Sequence, residues 1–214
     1  MSQHINLFLV RHARSAWNAQ GRLQGHADSS LDDVGIAQAR ALAEVLRKQR
    51  IHAFYTSPAQ RARQTAQILA NYHQQQYQAS LQVDERLRER DVGAVTGLTW
   101  SEVQAQYGDW AKQVEKDGWE IAPPPGGEDP RAVQERMVTA LDGIIKANKY
   151  LNVLVISHRG SLNIYLRHLF KMPLLCNVRF NLENTSVTEV EIRENRIQVL
   201  QLGNVQHLSR VENK

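Results

Sequence analysis

Cysteine is nearly absent from this 214-residue chain: the one present is Cys176. An intrachain disulfide is therefore impossible, and so is a cysteine-rich zinc site. The fold must rest on its own buried core, and a chain of this length can bury one. Long apolar runs are also missing. None approaches the ~20 residues that a membrane helix needs, and the mean hydropathy is −0.47. The opening Met1-Ser2-Gln3-His4 lacks the basic-then-apolar layout of a secretory leader. These absences lead to the expectation of a reducing, cytoplasmic setting.

Several catalytic and binding signatures are missing too. There is no Gly-x-x-x-x-Gly-Lys-Ser/Thr loop and no dinucleotide Gly-x-Gly-x-x-Gly fingerprint. Gly-x-Ser-x-Gly is absent, so Ser157 is not a nucleophile elbow. The eight histidines are scattered rather than set at ligand spacing, so neither a metal nor a cofactor is expected. No internal repeat stands out, and one domain over 1–214 is expected.

Positive charge is present, and unevenly so. Residues 1–90 hold 12 basic and 7 acidic side chains, whereas residues 91–214 hold 14 and 15. Arginine supplies 19 of the 26 cations, and its planar fork matches phosphate and carboxylate oxygens. Nucleic acid would ask for a longer track of phosphate contacts. A solvated basic surface or a compact anion site in the first 90 residues both fit the count.

The run Ile5–Val10 has strand length and is mostly apolar, as in a strand buried on both faces. A helix over about Leu31–Gln49 follows from the apolar stripe Ile36, Ala39, Leu42, Ala43, Val45 and Leu46. Ala53–Thr56 reads as a short strand. Ser57-Pro58 reads as an N-cap with proline at the first helical position, opening a helix to about Tyr72. Trp100–Tyr107 and Trp110–Lys116 look helical, and Pro123–Gly127 reads as a loop. A helix over 129–147, a buried strand over 152–156 and a helix over about Gly160–Phe170 come next. Ser186–Ile192 and Arg196–Leu202 read as two closing strands. This alternation predicts an α/β fold: three αβα layers, a mostly parallel central sheet, and a small helical lid over 91–130.

Two of the buried-type strands end in a histidine, at Arg11-His12 and Ser157-His158. Ligands of open α/β sheets bind beyond the carboxyl ends of the strands. If these two strands are neighbours, both histidines face one crevice. Arg61 and Arg63 lie ~200° apart on their helix. Arg61 shares its side with Thr65 and Ile68, so it is the better candidate for the crevice. Arg11, His12, Arg61 and His158 would form a pocket of positive charge suited to a phosphoryl group. A neutral imidazole can attack phosphorus if its other ring nitrogen carries the proton. The acceptor for that proton is not evident from the sequence.

Arg11-His12-Ala13-Arg14-Ser15-Ala16-Trp17-Asn18 resembles the opening motif of the histidine phosphatase superfamily, in its phosphoglycerate mutase-like branch. The match continues in order through Gly21–Gly25, Asp28–Leu31, Thr56–Ala66, Arg86–Glu89, Pro125–Glu128 and Ser157–Gly160. The resemblance implies that His12 becomes phosphorylated while Arg11, Arg61 and His158 bind the phosphoryl group. It places Ser15, Asn18, Gln24 and Gly25 at the substrate, and makes Glu89 the proton donor to the leaving oxygen. That role calls for a carboxyl that is partly desolvated and close to the phosphate. Glu85 and Asp91 are possible substitutes. Ala13 and Arg14 depart from the usual Gly then Glu or Gln; Arg14 either points to solvent or adds an arginine for an acidic substrate. Arg159 stands where a small residue is commoner.

The resulting expectation is a metal-independent phosphomonoesterase acting on a small phosphorylated metabolite, with no nucleic-acid or membrane partner and a possible homodimer. A phosphoglycerate mutase and a phosphate-binding module without catalysis are the alternatives. The chain's modest length favours hydrolysis, since mutases of the branch usually carry extra enclosing segments. His207 reads as a surface histidine, with the pocket rim as the alternative. Trp100, Trp110 and Trp119 read as packing residues of the middle segment, with one of them lining the leaving-group site as the alternative.

Overall fold

The computed structural model of the protein describes residues 4–74, 80–118, 124–149, 151–176, 178–193 and 196–210. Strand β1 (His4–Arg11) shows why this sequence makes a layered fold. Its Ile5, Leu7 and Leu9 join one hydrophobic core, and its Phe8 and Val10 join another. That split is the period-two geometry of a strand. Both sets are buried, so the segment reads in sequence as continuously apolar. Each such side chain contributes about 1.5–3 kcal/mol by leaving water.

Strand β4 (Asn152–Ser157) lies beside β1 in parallel, with Val10 opposite Ile156 and Arg11 opposite Ser157. The condition set by the sequence is met: the two histidine-terminated strands are neighbours. β2 (Ala53–Thr56) pairs in parallel with β4, and β3 (Ser80–Val83) pairs in parallel with β2. β5 (Val187–Arg193) and β6 (Arg196–Asn204) extend the sheet antiparallel from β1. The order is β3-β2-β4-β1-β5-β6.

Helices α2 (Asp33–Leu46) and α3 (Gln60–Gln74) pack on the Phe8 face. Helices α6 (Pro130–Ala147) and α7 (Arg159–Leu169) pack on the Leu7 face. The fold is three αβα layers around a mostly parallel sheet. A one-turn helix α1 (Ala16–Ala19) follows β1. Helices α4 (Trp100–Gln106) and α5 (Gly108–Asp117) bury Val103 and Ala111 against Val92 and Val95, a small core apart from the two main ones. Trp100 and Trp110 pack against it; Trp119 and Pro123 lie outside the described residues. Among the described residues no helix is long and apolar enough to cross a membrane.

Two local expectations need correction. Helix α3 starts at Gln60 rather than Pro58. Ser57 Oγ lies 2.8 Å from His158 Nε2, so it is engaged across the sheet, and the Gln60 N–H donates to Asp28 Oδ1 at 2.9 Å. The N-terminal cap thus comes from another segment. Strand β3 was not anticipated, because Ser80-Leu81-Gln82-Val83 alternates polar and apolar residues over only four positions and all but Leu81 are exposed. It exists because β2 offers a free edge.

Candidate active site

His12 follows the last residue of β1, and its backbone N–H donates to Ser157 O at 3.0 Å, tying it to the end of β4. Its ring is buried, and Nδ1 lies 2.8 Å from Ala13 O. A carbonyl oxygen only accepts, so Nδ1 carries the proton and Nε2 keeps its lone pair. This carbonyl is the acceptor that the sequence did not reveal. Burial, then Arg61 and Arg11, hold the His12 pKa well below 6.5. The ring is neutral at neutral pH.

His158 caps β4 with its ring centroid 5.0 Å from that of His12. It is fully buried and is held neutral by the same causes, burial first and Arg61 next. Its Nε2 lies 2.8 Å from Ser57 Oγ, a contact in which either atom can donate, and its Nδ1 is buried with no partner. Arg61 is 1% exposed, whereas Arg63 faces solvent, as the helical spacing implied. Arg61 donates to Ala27 O at 2.7 Å and Gly25 O at 2.9 Å, and its Nε is buried without a partner. Arg11 donates to Leu182 O at 2.8 Å, and its Nε is likewise unpartnered. Burial, together with Arg159 and Arg61, lowers the Arg11 pKa to about 10, so it stays charged at neutral pH. Buried donors without acceptors are costly. Arg11 and Arg61 line the adjoining cavity, which His158 does not, and an oxyanion there would supply the acceptor their Nε groups lack.

Glu89 sits across from these groups at the start of α7. Its carboxylate accepts from Gly160 N at 3.1 Å and from Ser161 N at 3.0 Å. His158, the N-cap residue, makes no side-chain cap bond. Glu89 does that work from elsewhere in the chain, with favourable alignment to the helix dipole. A Cβ on Gly160 would lie 2.8 Å from Glu89 Oε1, so a larger residue there would push the carboxylate from its seat.

A cavity of about 360 Å³ is lined by Arg11, His12, Asn18, Gln24, Gly25, Arg61 and Glu89, all named from sequence. Its remaining wall includes Arg22, Leu23, Val92, Trp100, Val114 and Arg159. Ser15 does not line it. Its hydroxyl donates to Gln24 Oε1 at 3.0 Å and caps α1 through Asn18 N, so it seats two lining residues. Arg14 is not brought to the cavity. Asp32 takes its Nε at 2.8 Å, on the outer side of the loop. Ala13 avoids positive φ and packs fully buried beside Leu31 and Ala39, so losing glycine there costs nothing sterically. Glu85 pairs with Arg88, and Asp91 helps hold Glu128, so neither substitutes for Glu89 in the cavity wall.

Residues 7–205 match the family model of the histidine phosphatase superfamily, branch 1. The chain belongs to that superfamily. It is 32% identical over 190 residues to a probable phosphoglycerate mutase GpmB of Yersinia pestis, covering 89% of this chain and 86% of that one. The solved structure of Bacillus stearothermophilus YhfR is similar with TM-score 0.85 and 29% identity, covering 95% and 99%. A mycobacterial glucosyl-3-phosphoglycerate phosphatase is similar with TM-score 0.80 and 25% identity, covering 92% and 97%.

Three supports of this histidine phosphatase site were missed in the sequence. Arg136 of α6 grips Glu128 with two bonds, at 2.7 and 2.9 Å, and donates to Arg86 O, Arg88 O and Glu89 O. It thereby fixes the backbone that carries Glu89. Asn184 donates to His12 O at 2.9 Å. Thr185 has φ +60°, which is strained for a β-branched residue, and its N–H donates to Arg11 O at 3.0 Å. Its Oγ1 meets His207 Nε2 at 2.8 Å. His207 therefore lies neither on the surface nor at the rim; it is 5% exposed against Thr185, beyond the end of β1, and burial lowers its pKa to about 4. A buried role for a lone tail histidine leaves no local pattern to read.

Proposed function

We propose that the protein is a phosphomonoesterase that works through a phosphohistidine, without a metal, on a small phosphorylated metabolite. The observation that carries this reading is His12: its Nδ1 proton is committed to Ala13 O, leaving Nε2 as a neutral nucleophile beside Arg11 and Arg61. Nε2 attacks phosphorus as the ester oxygen departs, and Glu89 gives that oxygen a proton. The two arginines match the charge on the phosphoryl oxygens, a role that metal ions fill in other phosphoryl-transfer enzymes. His158, through its unpartnered Nδ1, is assigned the same duty. Water then attacks the phosphohistidine with Glu89 as base, releasing phosphate and restoring His12.

Solvent access to the cavity supports hydrolysis. Length does not separate the two activities, because the chain covers 86% of a relative named as a probable mutase. That relative favours a second reading, isomerisation of phosphoglycerate through the same phosphohistidine. His12→Ala should lower hydrolysis of phenyl phosphate on the order of 10⁴-fold or more, and rapid quench should trap a labelled histidine in the parent only. Near-normal turnover without His12 would sink the proposal. Multiple turnovers of 3-phosphoglycerate to 2-phosphoglycerate that outpace phosphate release would favour the mutase.

A further inference from the structure

A second cavity, of about 270 Å³, shares no lining residue with the active site. Leu42 and Leu46 of α2 and Val187 of β5 give it a buried apolar wall, and Val45, 45% exposed, borders it. Among the described residues no Asp, Glu, Lys or Arg lines it, so nothing there would offset the desolvation of an ion. The amides of β6 on its wall are already engaged. Asn204 donates to Gln201 Oε1 and accepts from the Gln206 N–H, while Gln201 donates to Glu189 Oε2 at 2.8 Å.

His207 completes the polar side of this cavity. Its Nε2 lies 2.8 Å from Thr185 Oγ1, and the same hydroxyl lies 2.7 Å from Asn184 O. A hydroxyl has one proton and a carbonyl only accepts. Both contacts are hydrogen bonds only if Thr185 donates to Asn184 O and the His207 ring donates from Nε2. Nδ1 then holds a lone pair. It has no partner among the described residues, and it is not one of their sealed, unpartnered atoms. It is therefore open to the cavity that His207 lines. The ring is neutral at neutral pH, so Nδ1 stays an acceptor there.

We propose that this cavity is a second binding site, for a small neutral molecule with an apolar body and one N–H or O–H that it gives to His207 Nδ1. An apolar wall with a single oriented polar group is the usual make-up of a small-molecule site. The lack of charged lining sets it apart from the phosphoryl pocket and excludes a second phosphate.

The probes are indole and benzothiophene, its isostere without a donor, titrated against the full chain by NMR. Indole should bind saturably, about fivefold tighter than benzothiophene, the scale of one neutral hydrogen bond. The His207 Nδ1 nitrogen resonance should move with indole and stay in place with benzothiophene. His207→Gln should bring the affinity ratio close to one. Should that variant fail to fold, Val45→Trp, at an exposed helix position, fills the cavity and should weaken both probes at least tenfold. Equal binding of the two probes by the parent overturns the proposal, as does a ring protonated at Nδ1. So does a Val45→Trp variant that binds like the parent, because the probes would then sit beside Trp100 in the active-site cavity. A parent that binds neither probe also overturns it; binding that then appears on removal of residues 211–214 would give the cavity to the chain's own end.

Discussion

At one end of the cavity His12, His158 and Arg61 are almost dry, each 3% exposed or less. At the other end Trp100 and Leu23 are partly in contact with solvent. The first end is made by the carboxyl edges of β1 and β4, whose backbones are locked by parallel pairing. The second is made by α4, α5 and the loops around them, which rest on a core of their own. The difference matches what the proposed function asks of each end. Charges that stabilise a transition state are strongest when desolvated and already in place. Groups that choose among leaving groups need not be dry, and a wall on a small separate core can be varied without disturbing the sheet.

The largest blow to the dry end, short of removing the nucleophile, is Arg61→Ala. It should cost 10²- to 10³-fold in kcat, about 2.7–4 kcal/mol, on phenyl phosphate. It also releases the carbonyls of Gly25 and Ala27. A loss below tenfold in steady-state kinetics would mean that the buried charge is not aimed at the reaction. Glu89→Gln probes the boundary between the two ends. It keeps an oxygen for the α7 N–H groups but has no proton to give. We expect a loss on the order of 10²-fold with phenyl phosphate, and a smaller one with p-nitrophenyl phosphate, whose leaving oxygen needs no proton. Equal losses on both esters would remove Glu89 from the acid role.

Dryness also has a cost in acid. His12, His158 and His207 all have folded pKa values lowered by burial. Below about pH 6.5 the unfolded chain takes up protons at these rings and the folded chain does not. The unfolded state then binds more protons, so unfolding free energy falls as pH falls. For His207 the loss runs from about pH 6.5 down to its folded value of about 4 and then levels off. Urea midpoints should drop between pH 7.5 and 5, and His207→Gln should make that decline shallower by at most about 1.4 kcal/mol per pH unit. An unchanged slope would show that His207 is protonated in the folded protein. The smallest effect belongs to Arg14, which lies at neither end. Arg14→Ala should leave kcat/KM within about twofold and remove less than about 1 kcal/mol of stability by urea titration, as for a half-exposed ion pair.

Much of the site was legible because it depends on strand ends. Arg11-His12 and Ser157-His158 each follow a buried-type strand, and strand ends are where such sheets place ligands. Arg61 was separable from Arg63 by helical angle alone. What could not be read was which partner each group would find. Ser57 looks like a cap but meets His158, while Asp28 and Glu89 cap helices from other segments. Arg14 looked available to substrate until Asp32 claimed it. Arg136 and Thr185 carry no local pattern, since each acts on backbone distant in sequence, and neither does His207, which meets the Thr185 side chain 22 residues away.

The sequence by itself determined the layers, the strand ends and the reacting side-chain types, because hydrophobic period and backbone propensity are local properties. Only the tertiary structure decided the His12 tautomer, the seat of Glu89 and the Thr185 contact of His207. These depend on which donor meets which acceptor once residues as far apart as Arg11 and Leu182 are brought within 2.8 Å.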